Sequence, residues 1–131
     1  MTGQRIRAVT QRLGLSADTL RYYEKIGLLP RVARNTAGAR HYSEQDISRL
    51  RFIQRAQKMK FSLAEIADLL RMRAAPLRAR APVRALTAKK LVEAENQMKE
   101  LQTLRDELQR LLNLCAGGRR HCAIIKKIDN R

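Results

Sequence analysis

The segment SADTLRYYEKIGLLP, residues 16–30, carries the strongest fold signal in the chain. Ser16 is a typical N-cap, and Asp18 places a negative charge in the first turn, where the helix dipole favours it. We expect a helix over residues 17–26 that stops at Gly27, because glycine accepts the left-handed conformation that often follows a helix. The segment therefore predicts a short helix with its own start and stop signals.

A second short helix is predicted just before this segment. Ile6, Val9 and Leu13 recur at helical spacing ahead of Gly14, which is a natural stop. Two short helices joined by a tight turn that contains glycine are typical of a helix-turn-helix. An ordinary helical hairpin has the same pattern and is the alternative.

The chain after Pro30 predicts a small β-hairpin. Residues 35–38, NTAG, favour a turn. The flanking residues 31–33 and 39–42 would pair as a wing beside the helix-turn-helix. A plain loop is the alternative.

Two further helices are expected to complete this N-terminal region. Ser43 with Asp46 forms an approximate capping box, and Ser62 with Glu65 forms a clearer one. The apolar residues expected to face the core are Tyr23 from the earlier helix, then Ile47, Leu50, Phe52, Ile53, Ala56, Ile66, Leu69 and Leu70.

A long helix is predicted after a hinge at residues 73–82, which contain Pro76 and Pro82. Residues 83–114 contain no proline or glycine. A stripe with alternating steps of three and four residues runs along them, interrupted by one arginine, and we call it the seam: Leu91, Ala94, Met98, Leu101, Arg105, Leu108, Leu112 and Cys115. Because little apolar chain is left to cover the seam, we expect a homodimer. A helix folded back on its own domain is the alternative.

The charge of the chain indicates a polyanionic partner. Lys and Arg number 28 against 12 Asp and Glu, which gives a net charge of +16. Nucleic acid is the commonest such partner, and an acidic membrane surface is the alternative. The sequence has no apolar run of transmembrane length and no signal-peptide pattern, so we expect a cytoplasmic protein. It also lacks the residue patterns of an enzyme active site, and we expect no enzymatic activity.

Four stretches of the sequence resemble the MerR family of bacterial transcription regulators. They are LRYYEKIGLLP at residues 20–30, GARHY at 38–42, DISRLRFI at 46–53 and FSLAEI at 61–66. The resemblance implies a mainly α fold with four parts: a winged helix-turn-helix DNA-binding domain in residues 1–72, a hinge in 73–82, a long antiparallel coiled-coil dimerisation helix in 83–114, and a metal-binding loop with a short C-terminal helix in 115–131.

The resemblance also implies a function and a set of DNA contacts. Members of the family bind double-stranded promoter DNA as homodimers, and they act on RNA polymerase indirectly by distorting the promoter. The residues that match family contacts or neighbour them are Arg21, Tyr22 and Lys25 on the recognition helix and Arg34, Arg40 and Tyr42 in the wing. His41 is assigned to DNA rather than to metal. Lys60 stands where the family often has glycine, which predicts a left-handed residue or a frayed turn.

Cys115 and Cys122 are the candidate metal-binding residues of the C-terminal segment. Gly117 and Gly118 would let the intervening loop bring the two sulfurs together. Two thiolates without a third protein ligand suit Cu(I), and Ag(I) by the same logic, whereas tetrahedral Zn(II) would want three or four ligands. The segment resembles the metal-sensing branch of the family and, within it, the copper-efflux (CueR-like) regulators.

Three alternatives stay open for this cysteine pair. A reversible disulfide would make the protein a thiol redox-responsive regulator. His121 would complete a Cys2His site for a divalent, Zn-type ion. The pair would otherwise be two ordinary small residues near a helix end. Divalent sensors of the family place a third cysteine where Arg80 stands here, so the resemblance favours a monovalent ion.

Overall fold

The computed structural model describes residues 3–115 and 123–129, and the chain divides into two units, Met1–Leu86 and Thr87–Arg131. The elements in chain order are β1 Gln4–Arg5, α1 Ile6–Leu13, α2 Ala17–Lys25, β2 Ala33–Arg34, β3 Arg40–Tyr42, α3 Glu44–Lys58, α4 Leu63–Ala74, a 3-10 turn Pro76–Arg78, α5 Arg80–Cys115 and α6 Ala123–Asp129. This mainly helical fold with a small wing confirms the predicted fold class.

Helices α1 and α2 form the predicted helix-turn-helix. Gly14 ends α1 with a φ of 69°, and its N–H donates to the Thr10 carbonyl at 2.8 Å. Ser16 then caps α2, since its hydroxyl oxygen accepts a hydrogen bond from the Thr19 N–H at 3.0 Å. The left-handed glycine and the serine cap together fix the short turn between the helices.

The wing is a three-stranded antiparallel sheet in the order β1-β3-β2. Its register pairs Gln4 with Tyr42 and Ala33 with His41. The hairpin of β2 and β3 was predicted, but β1 was not. A strand of two residues is too short to show the alternation by which a strand is recognised in a sequence.

Helices α3 and α4 begin with the predicted capping boxes, in which Ser43 pairs with Asp46 and Ser62 with Glu65. Lys60, between these helices, has a φ of 69° and is the only non-glycine residue with positive φ in the described chain. The Lys60 N–H donates to the Gln57 carbonyl at 2.9 Å. The Phe61 N–H donates to the Ala56 carbonyl at 3.2 Å. These two bonds form a Schellman motif, so the predicted left-handed conformation of Lys60 is confirmed.

The core of the first unit joins both helix pairs to the wing. Tyr23 is buried as predicted, and so are the inward faces of α3 and α4, while Phe52 and Leu69 pack at the core's edge. The buried residues are Val9, Leu20, Tyr23, Leu28, Leu29, Val32, Tyr42, Ile47, Leu50, Ile53, Ala56, Ile66 and Leu70.

The long helix α5 starts earlier than its predicted first residue, at Arg80 instead of residue 83. Pro82 is its third residue, and the first four N–H groups of a helix have no intrahelical acceptor. A proline there costs no hydrogen bond, so it lies inside the first turn. No helix in the described ranges is both long and apolar enough to cross a membrane.

Candidate nucleic-acid interface

Helix α2 presents three of the predicted DNA contacts on its exposed side. The Arg21 side chain is 51% exposed, Tyr22 is 50% exposed, and Lys25 is also exposed. Arg21 Nη1 lies 3.2 Å from Asp18 Oδ1, but the Asp18 side chain is almost fully exposed. Exposed ion pairs of this kind contribute little stability, so Arg21 can exchange this partner for a phosphate.

The tip of the wing is held by the side chain of Asn35. Its Oδ1 accepts hydrogen bonds from the N–H groups of Ala37 at 3.0 Å and Ala39 at 2.9 Å. Its amide nitrogen lies 3.3 Å from His41 Nε2. His41 is half-buried within the wing. Its contact with Asn35 helps to hold the turn in place.

Arg34 and Arg40 carry the positive charge of the wing. Arg34 is exposed, and its Nη1 donates to the Gly38 carbonyl at 2.9 Å, which ties the arginine to the wing's own turn. Arg40 is half-buried, and its Nε donates to Glu24 Oε1 at 2.8 Å. Each arginine thus has a fixed attachment on the protein through one of its nitrogens.

Glu24 links α2 to the wing through both carboxylate oxygens. Oε1 accepts from Arg40, and Oε2 accepts from the Val32 N–H at 3.3 Å. Burial opposes ionisation of this carboxyl, but those hydrogen bonds and the charges of Arg40 and Arg34 outweigh it. The pKa of Glu24 is consequently lowered below its ordinary value.

Two open depressions, of about 520 and 320 Å³, lie on this surface, and Arg21 and Arg40 line both of them. The larger is also lined by Lys25 and Arg31, and the smaller by Arg5 and Arg7. We call the surface formed by these six basic residues the basic face. Arg5, Arg7 and Arg31 were not predicted, because no local pattern in the sequence marks them; Arg5 belongs to β1, whose pairing with β3 depends on a distant segment.

Tyr42 is the one predicted contact that the fold places in the core. Its exposed fraction is 0%, and burial raises the pKa of its hydroxyl. Within the described residues that hydroxyl is buried and has no hydrogen-bond partner. The expectation of an exposed phosphate contact here needs correction, because the alternation of β3 turns Tyr42 inward.

Comparison with known proteins identifies the family. The profile of the MerR HTH family regulatory proteins matches residues 4–73, and a second profile, described as MerR, DNA binding, matches residues 47–111. This chain belongs to the MerR family. It is therefore a DNA-binding transcription regulator and not an enzyme, as predicted, and the family binds promoter DNA as homodimers.

Relatives span almost the whole chain. A helix-turn-helix transcriptional regulator of Pseudomonas aeruginosa is 40% identical, over 94% of each protein. Heavy metal-dependent transcription regulator 2 of Rhizobium meliloti is 34% identical, over 89% of this chain and 80% of its own length. The crystal structure of PbrR691 from Ralstonia metallidurans in complex with lead(II) is 34% identical, with a TM-score of 0.79. The structural match covers 98% of this chain and 99% of the PbrR691 chain.

The exposed seam of α5 fits the homodimer of the MerR family. Leu91, Met98, Leu101, Leu108 and Leu112 are each more than half exposed in the single chain. Leucine and methionine at these spacings are stabilised when a second helix covers them. The family's homodimer agrees with the predicted second copy of the chain, and the seam is the surface for which we predict the partner helix.

Only one of the two predicted metal ligands lies in the described chain. Cys115 is the last residue of α5 and is exposed, whereas Cys122 and His121 lie outside the described residues. Residues 3–115 and 123–129 contain no cluster of three or more His, Cys, Asp or Glu that could hold a metal ion.

Proposed function

We propose that this MerR family protein is a transcription activator that responds to a soft monovalent metal, Cu(I) or Ag(I), bound by Cys115 and Cys122. Residues 1–72 would bind promoter DNA, residues 73–82 would act as the hinge, 83–114 would form the dimer, and 115–131 would receive the metal signal. The heavy metal-dependent relative supports the class of signal. The chemistry of the two cysteines supports the choice of metal.

The observation that carries the DNA contacts is the basic face, which contains Arg21, Lys25 and Arg40, while Tyr22 and Arg34 are exposed on the same helix and wing. Arg21, Tyr22 and Lys25 would approach the groove and its phosphates from α2, while Arg34 and Arg40 would contact flanking phosphates from the wing. Guanidinium groups bind phosphate oxygens with two parallel hydrogen bonds, which suits the arginines to this position. Tyr42 is left out of this set because its hydroxyl is buried.

Arg21→Ala tests this assignment. Loss of its charged contact should weaken binding to the operator strongly, and the slope of log affinity against log salt should fall by about one. Arg71→Ala is the matched control, since it removes the same charge from an exposed arginine on α4 that pairs with Asp68. If Arg21→Ala binds as Arg71→Ala does, the assignment is wrong.

The donor set fits a monovalent ion. The whole chain contains two cysteines, and Cys115 is exposed at the end of α5. Bound Cu(I) would supply a single positive charge and a preference for two thiolate ligands. A divalent ion would need further ligands, which His121 or an exogenous molecule would have to provide.

Arg80 would favour the monovalent ion. In the antiparallel dimer of this proposal, the start of α5 lies near the partner subunit's residues 115–122. Two thiolates with Cu(I) retain a net charge of −1, which a nearby guanidinium would offset, whereas two thiolates with Zn(II) are already neutral. Arg80→Cys should consequently shift the response towards divalent ions, because it adds a thiolate and removes a positive charge.

Transcription in vitro from the cognate promoter, with Cu(I), Ag(I) and Zn(II) supplied separately, tests the signal. Cys115→Ser and Cys122→Ser should each keep operator binding and lose the response to Cu(I). Activation of the wild type by Zn(II) alone would refute the monovalent assignment. Activation by an oxidant without metal, with a disulfide between the two cysteines in the mass spectrum, would replace it with the redox function.

A further inference from the structure

Glu24 is an acidic residue in the middle of a surface that is otherwise basic. Among the described residues that line the two depressions, it is the only one with a negative charge, against the six of the basic face. A carboxylate in this place repels phosphate and should weaken DNA binding through its charge alone. If Glu24 favours DNA binding, it must do so through a contact whose effect on affinity exceeds this repulsion.

We propose that Glu24 is a positioning residue for DNA binding, which holds the Arg40 guanidinium in place for a phosphate. The inference rests on the proposed role of Arg40 as a phosphate contact. Glu24 Oε1 accepts from Arg40 Nε at 2.8 Å, and this bond leaves the two terminal amino groups of the guanidinium for another acceptor. Glu24 Oε2 accepts from the Val32 N–H at 3.3 Å, so the same carboxylate also fixes the chain leading into the wing.

The burial of the pair makes the contact effective. The side chains of Arg40 and Glu24 are 22% and 14% exposed, whereas most of the ion pairs found among the described residues are far more exposed. A partly buried, charge-assisted hydrogen bond is stronger and less screened than one on the open surface. An arginine already held in one conformation loses less side-chain entropy when it binds a phosphate.

The contact also joins the two elements of the interface. Glu24 belongs to α2, which carries Arg21 and Lys25, while Arg40 belongs to β3 of the wing. Within this unit the carboxylate therefore sets the spacing between the groups expected to contact the groove and the arginine expected to contact a flanking phosphate. DNA binding depends on such spacing, because phosphate contacts fix the register of a protein on the duplex.

Glu24→Gln and Glu44→Gln form the matched pair of variants for the test. Both remove one negative charge, but the Glu44 side chain is 65% exposed and pairs only distantly with Arg12, at 3.5 Å. If charge alone mattered, both variants would bind the operator more tightly than the wild type. We expect Glu24→Gln to bind about twofold to tenfold more weakly, as the fixed arginine is released, and Glu44→Gln to bind no more weakly than the wild type.

The salt dependence separates positioning from a general loss of structure. Glu24→Gln should lower the slope of log affinity against log salt by up to about one, the loss of a single phosphate contact, although the variant is more positive. Glu24→Asp keeps the charge but is one methylene shorter, and it should weaken binding for the same reason. Urea unfolding of each variant shows that the fold is intact. If a folded Glu24→Gln binds as tightly as the wild type, or more tightly, the inference is overturned.

A double-mutant cycle with Arg40→Ala completes the test. If Glu24 acts through Arg40, Glu24→Gln should have little further effect on affinity in the Arg40→Ala background. An equal loss in both backgrounds would overturn the inference while leaving Arg40 as a DNA contact. If Arg40→Ala itself changes neither the affinity nor the salt slope, the proposed contact of Arg40 fails instead, and the two failures are distinguished.

Discussion

Removing the hydroxyl group should change the free energy of unfolding in opposite directions at the two core tyrosines, Tyr23 and Tyr42. The Tyr23 hydroxyl donates to Gln57 Oε1 at 3.1 Å, so Tyr23→Phe should lower the free energy of unfolding by about 1 kcal/mol, the net value of one hydrogen bond. The Tyr42 hydroxyl is buried without a partner in the described chain. A buried unsatisfied group costs about 1–3 kcal/mol, so Tyr42→Phe should raise the free energy of unfolding by about 1 kcal/mol.

Urea unfolding followed by circular dichroism measures both tyrosine variants against the wild type. The protein concentration must be the same throughout, because dimerisation contributes to the apparent stability. Because each variant removes a single oxygen atom, packing changes little, and the difference of about 2 kcal/mol between them reports the hydrogen bonding. A Tyr42→Phe variant as destabilised as Tyr23→Phe would refute the reasoning. Weaker operator binding by a Tyr42→Phe protein of unchanged stability would restore the predicted phosphate contact.

Three further predictions concern a turn, the seam and the pH dependence. Lys60→Gly should raise the free energy of unfolding by about 0.5–1 kcal/mol, since it relieves the left-handed lysine, whereas Lys60→Ala should give no gain in the same urea titration. Leu101→Asp should shift the wild-type dimer towards monomer in sedimentation, while Thr103→Asp, exposed on the opposite side of α5, should not. Because the pKa of Glu24 is lowered, the ionised carboxylate stabilises the fold above its ordinary pKa of 4.5, and this contribution is lost as the pH falls below that value. In Glu24→Gln the free energy of unfolding should therefore depend less on pH between pH 6 and pH 3 than in the wild type.

The features that the sequence predicted well are those with local causes. Ser16 and Ser62 cap their helices through atoms three residues away, and Lys60 takes its conformation from the end of α3. The burial of Tyr23 and of the inward faces of α3 and α4 follows from helical spacing. In each case the residues that determine the local structure lie within a few positions of the residue whose conformation or burial was predicted.

The features that the sequence did not predict depend on contacts between distant segments. Strand β1 exists because Gln4 and Arg5 meet β3 some 37 residues later. The same pairing helps to place Arg5 at the basic face and Tyr42 in the core. Glu24 reads locally as one more polar residue of an amphipathic helix, and only the approach of Arg40, sixteen residues further on, gives it a partner. Such roles follow from tertiary packing, which no local pattern encodes.

The wing holds its shape through bonds within itself, and this bears on how the DNA interface gains affinity. Asn35 accepts two backbone N–H groups across the turn, and Gly38, with a φ of 83°, donates its own N–H to the Asn35 carbonyl at 3.0 Å. A turn that is ordered in advance loses little entropy on binding. Most of the conformational entropy lost on DNA binding then comes from long side chains such as those of Arg5 and Arg7. For these two side chains no hydrogen bond to a neighbouring element is found in the described chain. Arg40 differs from these, since Glu24 already holds it, and for this reason a single carboxylate within a basic surface can favour DNA binding despite its charge.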